Sequence, residues 1–419
     1  MKNRASVVAG VAVLLCVLVA QLYLSVRQET QTWDETDHIY AAYMMWKRAD
    51  YGLNPEHPPL VKLVAAVPLL GMPLRTPPTQ DRFFKNEAFL NGRQFLYGNA
   101  PVSADQILIR VRMAAAVFTV LLALLTFLCA QEMFGTIAGF IALFLLILEP
   151  NILAHGALVT TDVGLSCFML ATIYAFYRYV KRPTMARVVV LGIAAGLALA
   201  AKHTGVLVVP MLILLALYEA FRHREARNRQ VQRLAIALVA AFAIAIAVLW
   251  PLYAFRYSER PAGLPMNPPF SEYVKQLRPH EAALVKAAAA THLIPRSWIY
   301  GLSDVRVVAD TTPSYIFGKV YAHGVWFYFP AAFVIKSTLP VLVLLAITLW
   351  AIAAGRFRRE REIVFLVLPA AFYMLVAMTS GLNIGARHIL PLWVFSAVLV
   401  SGAAVALMFG KLGSRNRTS

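Results

Sequence analysis

The sequence has few charged residues and very few cysteines. Only 14% of its 419 residues are charged and 60% are hydrophobic, whereas a soluble globular domain has about 25% charged and about 45–50% apolar residues. The three cysteines, Cys16, Cys129 and Cys167, lie inside apolar runs, so neither a disulfide framework nor a cysteine-based metal site is indicated. The scarcity of charge excludes an ordinary soluble domain and indicates a protein embedded in lipid.

Acidic residues are scarce relative to basic ones. The chain has 21 Asp and Glu residues against 39 Lys and Arg residues, which gives a net charge of +18. Such an excess could indicate a nucleic-acid-binding protein, but the basic residues cluster in short connections between apolar runs, as membrane topology requires. We therefore expect no nucleic-acid partner.

Long apolar runs dominate the chain instead. Most are long enough, at roughly 17–25 residues, to cross a bilayer as helices, and none shows the alternation of a membrane β-strand. The first could be a secretory signal, but it is long and lacks a clear cleavage site, so we interpret it as an uncleaved span. The predicted fold is an all-α polytopic membrane protein, one domain over residues 1–419. Its ten candidate spans are 5–25, 108–133, 136–153, 162–180, 187–201, 204–221, 233–253, 329–353, 362–380 and 389–410.

The basic residues also predict an orientation. If the N-terminus lies inside, every strongly basic short connection falls on the inner side, and both termini are cytoplasmic. These basic segments are 178–187, 222–233, 356–361 and 411–417. The outer side then carries two large loops, about 27–106 and about 254–328. Leu60–Leu70 is too short to span and is predicted to be an interfacial helix, and Ser271–His292 could form another.

A cluster of acids, histidines and a lysine follows the first span directly. Trp-Asp-Glu-Thr-Asp-His occupies 33–38, and Glu-His-Pro-Pro-Leu-Val-Lys occupies 56–62. Charge beside a membrane costs free energy unless it is paired or used, so this region is a candidate functional site. The alternative is a solvated juxtamembrane turn, with Trp33 as an interfacial anchor.

Other ionisable residues lie at the outer ends of later spans. Asp162 could be only a helix-start acid, and Lys336 could be a snorkelling side chain. Acids and bases from six outer connections near one membrane level nevertheless favour a site for a reaction with an anionic leaving group. These further residues are Glu149, His155, Asp162, Lys202, His203, Lys336, Arg387 and His388.

The two consecutive prolines after His57 have two readings. Pro58 and Pro59 could simply end a loop and begin a helix. They could also direct Lys62, because a proline at the first helical position leaves the N-terminal N–H groups of the helix free for a phosphate. Lys62 would then add a positive charge beside those N–H groups.

Taken together, these motifs resemble the integral-membrane GT-C glycosyltransferases. The resemblance is to the family 39 branch, which includes protein O-mannosyltransferases and the aminoarabinose transferases that modify lipid A. The matching segments are Asp34-Glu35, the His-Pro-Pro-Leu-x-Lys element at 57–62, His155 to Asp162, Gly324 to Pro330 with Lys336, and the Arg-His-x-Leu-Pro element within 383–391. The span number is lower than in larger family members, and no sizeable C-terminal soluble domain follows, which puts protein O-mannosylation in doubt.

The resemblance implies an inverting transfer of a sugar from a polyprenyl phosphate to a lipid, glycan or protein acceptor. It implies a bacterial inner-membrane enzyme whose site faces outward. Asp34 would be the catalytic base, with Glu35 and Asp162 as the other catalytic carboxylates. Lys62, Arg387, His388, Lys202 and Lys336 would bind the donor phosphate, and Glu56, His57 and His155 would position substrate. No metal ion is required, although paired carboxylates could bind a divalent cation.

Readings from other classes remain open at this stage. A transporter or flippase of a lipid-linked sugar would usually show inverted repeats, interrupted spans and ionisable groups near the midplane of the membrane. The sequence has no visible repeat, and its polar residues lie at the outer boundary. A lipid-phosphate hydrolase is supported only by the Arg387-His388 pair. If the protein were only a structural scaffold, nothing would explain why its polar residues lie on the same side of the membrane.

Overall fold

The computed structural model describes residues 4–80, 82–100, 102–222 and 227–410, and regular structure in these ranges is almost entirely helical. Arg224 and the basic tail at 411–417 therefore lie outside the described residues. The first ten helices are α1 (Arg4–Val26), α2 (Glu35–Arg48), α3 (Leu60–Ala66), α4 (Phe84–Tyr97), α5 (Ala104–Ala115), α6 (Val117–Phe134), α7 (Thr136–Ile147), α8 (Pro150–His155), α9 (Asp162–Lys181) and α10 (Met185–Ala201).

The second half of the chain continues in the same way. Its helices are α11 (Val208–Arg222), α12 (Arg227–Leu252), α13 (Phe270–Gln276), α14 (Pro279–Thr291), α15 (Arg296–Thr311), α16 (Tyr328–Lys336), α17 (Leu339–Ala353), α18 (Glu360–Thr379) and α19 (Leu390–Phe409). Short 3-10 helices cover Val67–Leu69, His203–Leu207 and Ala386–Ile389. One antiparallel hairpin, β1 (Ser314–Ile316) with β2 (Lys319–Tyr321), is the exception to the predicted all-α class in the described part of the chain.

The helices confirm a multi-pass membrane protein, but the predicted count of ten spans is not confirmed. Seven segments of the described chain are long and apolar enough to cross a bilayer, and α16 with α17, bent by 114°, could form an eighth. The predicted spans 136–153 and 187–201 correspond to α7 and α10, which have 12 and 17 residues. Both are shorter than the roughly 20 residues that usually cross the hydrocarbon core.

Helix α9 forms the centre of the bundle and is surrounded by α6, α10, α11 and α19. Of its most apolar stretch, 83% is buried, against 17% for α1, which is exposed along most of its length. Helix α10 packs closely on α12 because it presents glycines: a Cβ at Gly192 or Gly196 would lie 2.8 Å from the carbonyl oxygen of Ala241 or Ala245. Small residues that let helix backbones approach are typical of membrane helix interfaces.

The two predicted outer loops are folded and joined to each other. Arg260, from the second loop, donates to Asp50 at 3.0 Å and to Glu87 at 2.7 Å, and all three side chains are buried. Helix α3 forms within the predicted apolar piece Leu60–Leu70, but most of its residues are buried against α2 and α5. The predicted helix over 271–292 is present as two helices, α13 and α14. The loops therefore form a structured cap over one end of the bundle.

Candidate functional site

A cavity of about 360 Å³ lies where this cap meets the helix ends. Helix α9 begins at the cavity, α10 ends there, and the 3-10 helix before α19 borders it. Its walls contain four carboxyl groups, three cationic side chains and three histidines among the described residues. The polar and ionisable lining residues are Asp34, His38, Glu56, His57, Lys85, Thr160, Thr161, Asp162, Lys202, Asp304, Thr312, Arg387 and His388.

Asp34 and Arg387 form the first ion pair of the cavity. Asp34 immediately precedes α2, and Arg387 lies in the 3-10 helix that leads into α19. Arg387 Nη1 lies 2.5 Å from Asp34 Oδ2, and about a quarter of each side chain is exposed. The predicted catalytic base and a predicted phosphate ligand are thus in direct contact.

Asp162 and Lys202 form the second ion pair. Asp162 is the first residue of α9, and Lys202 directly follows α10, so the pair joins two neighbouring helix ends. Both side chains are mostly buried. Thr161, the residue before α9, makes no capping hydrogen bond. The positive end of the α9 dipole also stabilises the carboxylate of Asp162. Because Asp162 contacts Lys202 as well, it does more than begin the helix.

Lys85 and Asp304 form a third ion pair, which the sequence analysis did not find. Lys85 Nζ on α4 lies 2.7 Å from Asp304 Oδ2 on α15, so this pair joins the two outer loops. The hydroxyl of Tyr273 donates to the other carboxylate oxygen at 2.7 Å. Neither residue lies in a recognisable motif, and only their spatial proximity reveals them.

Glu56 is the fourth carboxyl group of the cavity. Its Oε2 atom is buried and has no hydrogen-bond partner, and no cation of the described residues forms an ion pair with it. Burial raises the pKa of Glu56 to about 8; Lys85 and Lys62 oppose this increase, and Asp304 adds to it. Glu56 is therefore the one lining carboxyl, within the described ranges, that lacks a counter-charge.

Three histidines line the cavity beside these acids. His38 Nδ1 donates to the carbonyl oxygen of Val159 at 2.6 Å, which fixes its ring, and the ring of His57 lies 4.4 Å from it, centroid to centroid. His57 Nδ1 is 3.4 Å from Thr161 Oγ1. Burial holds the pKa of His57 well below its ordinary value, and the nearby His38 and Lys62 lower it further. His57 is consequently an uncharged imidazole at neutral pH.

Glu35 is placed differently from its neighbour Asp34. Its two carboxylate oxygens accept from Arg112 Nε at 2.9 Å and Arg112 Nη2 at 2.6 Å, and both side chains are fully buried. Arg112 also donates to the carbonyl oxygens of Glu29 and Thr30, and the Val159 amide donates to Glu35. Burial acts to raise the pKa of Glu35, but Arg112 outweighs it and the pKa is lowered.

Glu35 therefore does not line the cavity, although the sequence analysis gave it a catalytic role. Its contacts connect the segment that carries Asp34 to the connection that precedes Asp162. A buried ion pair with this many hydrogen bonds positions backbone rather than substrate. Arg112 belongs to none of the motifs, but its position inside a predicted span is a signal. An arginine in an apolar span must be paired or used.

Lys62, Lys336 and His155 also lie off the cavity lining. Lys62 Nζ is buried and donates to Asn54 at its carbonyl oxygen (2.7 Å) and its side-chain oxygen (2.8 Å). Burial lowers the pKa of Lys62 to about 7, while Glu56 and Asp37 oppose this change. Lys336 is exposed at the end of α16, and His155 is half-buried at the end of α8.

The arrangement can bind an anion and accept a proton within one cavity. Of the predicted site residues, Asp34, Glu56, His57, Asp162, Lys202, Arg387 and His388 are brought together. The two cations beside Asp34 and Asp162 could stabilise a phosphate, and a carboxylate released from its cation could act as a base. Within the described ranges, no group of three His, Cys, Asp or Glu side chains is arranged to hold a metal ion.

Comparison with known proteins supports the motif-based resemblance. Residues 105–250 match the family described as dolichyl-phosphate-mannose-protein mannosyltransferase. Comparison with curated protein sequences finds no match. The family match covers the helices from α5 to α12, which include Asp162 and Lys202 but neither Asp34 nor Arg387.

Two solved structures have a similar fold. The crystal structure of ArnT from Cupriavidus metallidurans bound to undecaprenyl phosphate superposes with a TM-score of 0.59 at 16% identity, covering 96% of this chain and 60% of that one. The archaeal oligosaccharyltransferase AglB from Archaeoglobus fulgidus, in complex with an inhibitory peptide and a dolichol-phosphate, gives a TM-score of 0.52 at 14% identity, covering 98% of this chain and 52% of that one.

These matches confirm the predicted resemblance to the GT-C, family 39-like membrane glycosyltransferases. At 14–16% identity the structural likeness shows the fold alone. The chain spans between about half and three fifths of the length of these two structures. The cavity therefore lies in a fold that is already known. The fold does not show what the cavity does, so its function is argued from the residues that line it.

Proposed function

We propose that this protein is a membrane glycosyltransferase that moves a sugar from a polyprenyl-phosphate donor to an acceptor hydroxyl in the cavity. The observation that carries the proposal is the pair of acid–cation contacts, Asp34 with Arg387 and Asp162 with Lys202, in one cavity at the helix ends. A lipid-linked donor suits this position because its tail can stay in hydrocarbon while the phosphosugar reaches the polar cavity.

Arg387 and Lys202 are the proposed ligands of the donor phosphate. Each is partly buried and lines the cavity, so each can approach a phosphate at the level where the lipid tail leaves the membrane. Preorganised cations that face a developing charge are often the largest catalytic contribution, and loss of one such donor costs about 10²–10³-fold in rate. Lys62 and Lys336 point elsewhere, so they are weaker candidates than the sequence suggested.

Asp34 is the proposed base. In the transfer, the bond between the anomeric carbon and the phosphate oxygen breaks, and a bond from the acceptor oxygen to that carbon forms. The acceptor proton passes to Asp34, and polyprenyl phosphate leaves as an anion held by Arg387 and Lys202. Because the acceptor oxygen attacks the anomeric carbon from the face opposite the phosphate and no covalent sugar–enzyme bond forms, the configuration inverts. This scheme requires no metal ion.

Donor binding would also release Asp34. Arg387 contacts the carboxylate of Asp34. The donor phosphodiester carries one negative charge, as a carboxylate does, and its two free oxygens accept two parallel hydrogen bonds from a guanidinium, so it competes for Arg387. Asp34 would then be free to accept a proton only when donor is present. Asp162, which remains paired with Lys202, would position the sugar or the acceptor.

The proposed setting is the inner membrane of a bacterium, with both termini cytoplasmic and the cavity facing outward. Helix α9 supports this orientation. Asp162 is its first residue, and Arg178 and Lys181 lie in its last turn, roughly 24–29 Å away along the helix at ~1.5 Å per residue. The positive-inside rule assigns the basic end to the cytoplasm, which leaves the cavity on the outer side.

A donor screen tests the proposal. The purified full chain in nanodiscs would be incubated with a panel of undecaprenyl-phosphate-linked hexoses and pentoses, and release of undecaprenyl phosphate would be measured by mass spectrometry. We expect one donor to be consumed by the wild-type protein and not by Asp34→Asn. Consumption of none by folded protein, together with movement of a labelled donor across vesicles, would establish the transporter reading instead.

A further inference from the structure

We propose that Glu56, Lys85 and Asp304 form a saccharide subsite in which Glu56 acts as an uncharged hydrogen-bond donor to a sugar hydroxyl. This inference rests on the proposed glycosyl transfer and specifies how the same cavity holds its saccharide. The hydroxyl could belong to the donor sugar or to a glycan acceptor, since the chemistry is shared. The subsite uses a different set of side chains from the phosphate ligands Arg387 and Lys202.

The pairing of charges in the cavity identifies Glu56. Each of the other three lining carboxylates contacts a cation: Asp34 contacts Arg387, Asp162 contacts Lys202 and Asp304 contacts Lys85. Among the lining side chains the three acids and three cations balance, so an ionised Glu56 would have no contacting cation in a mostly buried site. Such a charge is costly, and protonation removes it.

The backbone beside Glu56 is held rigidly. His203 Nε2 donates to the carbonyl oxygen of Pro55 at 3.0 Å. Helix α15 presses on the same carbonyl, because a Cβ added at Gly301 would lie only 1.7 Å from it. Asp304 follows Gly301 by one helical turn and thus lies on the same face of α15. This close contact brings the Glu56 segment against the helix that carries Asp304.

The charged and titratable groups around Glu56 come from four elements. They are Lys85 on α4, Asp304 on α15, Lys62 on α3, and the tyrosines Tyr273 on α13 and Tyr300 on α15. Lys62 donates hydrogen bonds to Asn54, and Lys85 forms an ion pair with Asp304. Neither cation therefore neutralises Glu56 by contact, which agrees with its raised pKa.

The hydrogen-bonding character of these three side chains fits a sugar hydroxyl. An un-ionised carboxyl donates through its O–H and accepts through its carbonyl oxygen, Lys85 donates, and Asp304 accepts. A hydroxyl group both donates and accepts, so it can pair with the carboxyl group of Glu56, whose Oε2 has no hydrogen-bond partner. A phosphate at this position would be repelled by Asp304, which separates the subsite chemically from the phosphate end.

Two substitutions of Glu56 test the proposal. Glutamine keeps an uncharged donor and acceptor, whereas alanine removes both. With the purified full chain, Glu56→Gln should keep the wild-type KM for the sugar substrate within a few-fold at pH 7, and Glu56→Ala should raise it about 10–100-fold. The KM rises for the donor if the hydroxyl belongs to the donor sugar, and for the acceptor if it belongs to a glycan acceptor. Glu272→Gln, at an exposed position on α13, is the matched control.

The pH profile distinguishes an acid from a carboxylate. With Glu56 un-ionised below a pKa of about 8, wild-type affinity for the saccharide should fall as the pH rises through 8. Glu56→Gln should lack this loss. If glutamine impairs the protein as much as alanine at pH 7, Glu56 acts as a carboxylate toward a cationic group, and the proposal is wrong.

Binding measurements test the saccharide subsite independently of the proposed function. Sugar-free undecaprenyl phosphate should bind Glu56→Ala as tightly as wild type, whereas a sugar-bearing donor should bind it about 10–100-fold more weakly. Infrared difference spectra should show a protonated carboxyl band at pH 7 that Glu56→Gln lacks and that shifts on saccharide binding. These readouts need no turnover. An absent band, or equal loss of both lipids, would overturn the subsite even if transfer is observed.

Discussion

Arg387 holds Asp34 at 2.5 Å between Nη1 and Oδ2, although the two residues come from opposite ends of the sequence. The contact joins the first outer loop to the 3-10 helix before α19. It places a proposed base and a proposed phosphate ligand in one pair, so under the proposed function binding of the anionic donor would also release the base.

Asp34→Asn should abolish sugar transfer while the protein stays folded and inserted. An amide cannot take the acceptor proton, and a lost general base typically costs about 10²–10⁴-fold in rate. The measurement is kcat with the identified donor, alongside the melting temperature. Asp105→Asn, an exposed acid at the start of α5, should retain wild-type kcat. Near-normal turnover in Asp34→Asn would remove Asp34 as the base.

Arg387→Ala should weaken binding of sugar-free undecaprenyl phosphate and lower kcat by about 10²–10³-fold. Arg387→Lys should recover part of the binding but not all, because lysine provides charge without the paired N–H groups. Isothermal titration and turnover would be measured on both variants. Arg93→Ala, at an exposed site on α4, is the control. Unchanged lipid binding in Arg387→Ala would contradict the phosphate role.

Arg112→Ala should destabilise the protein by about 3–5 kcal/mol, because it leaves the buried Glu35 carboxylate without its cation. The double variant Arg112→Met with Glu35→Gln should lose less, since neither charge is then left unpaired. Thermal unfolding in detergent compares them, with transfer measured on the folded fraction. If Glu35→Gln alone abolished kcat in fully stable protein, Glu35 would have a catalytic role after all.

The contribution of Glu56 to the stability of the protein should fall as the pH rises from about 4.5 to about 8. Glu56 holds its proton up to a pKa of about 8 in the folded chain, against an ordinary value of 4.5. In that window Glu56 binds its proton in the folded state and not in the unfolded state, so this group favours unfolding as the pH rises. The melting temperature of wild type relative to that of Glu56→Gln should therefore decrease across this range. Parallel curves would show that Glu56 titrates normally.

Lys62→Met should affect saccharide use more than phosphate binding. Lys62 Nζ holds Asn54 through two hydrogen bonds, two residues before Glu56, so its loss loosens the segment that carries Glu56. We expect a higher KM for the sugar substrate with unchanged affinity for sugar-free undecaprenyl phosphate. The reverse pattern would restore Lys62 to the phosphate role that the sequence motif suggested. Lys286→Met, at an exposed position on α14, serves as the control.

The sequence predicted the class of fold and the end of the molecule that holds the site. Apolar length identifies a membrane helix because a helix crossing the hydrocarbon core must be about 20 residues long and apolar. The rule does not apply to short helices such as α7 and α10. Neighbouring helices bury part of their surface, and their length does not match the thickness of the bilayer. The predicted count of ten spans is not confirmed for that reason.

Two adjacent residues show why a sequence motif does not identify every residue of the site. Asp34 and Glu35 are neighbours in one acidic motif, yet one faces the cavity and the other is enclosed by Arg112. A one-residue step in a helix turns the side chain by about 100°, which is enough to separate a lining residue from a buried one. A motif therefore identifies the segment and leaves open which of its residues contacts the substrate.

By itself, the sequence determined a multi-pass helical protein and predicted that its acids and bases gather at one membrane level, because hydropathy and charge are local properties. Only the tertiary structure decided which cation meets which acid. It paired Asp34 with Arg387 and Lys85 with Asp304, directed Lys62 to Asn54, and left Glu56 without a counter-charge. The physical reason is that ion pairing acts over a few ångströms, between side chains from distant segments that only the packing of the helices brings together.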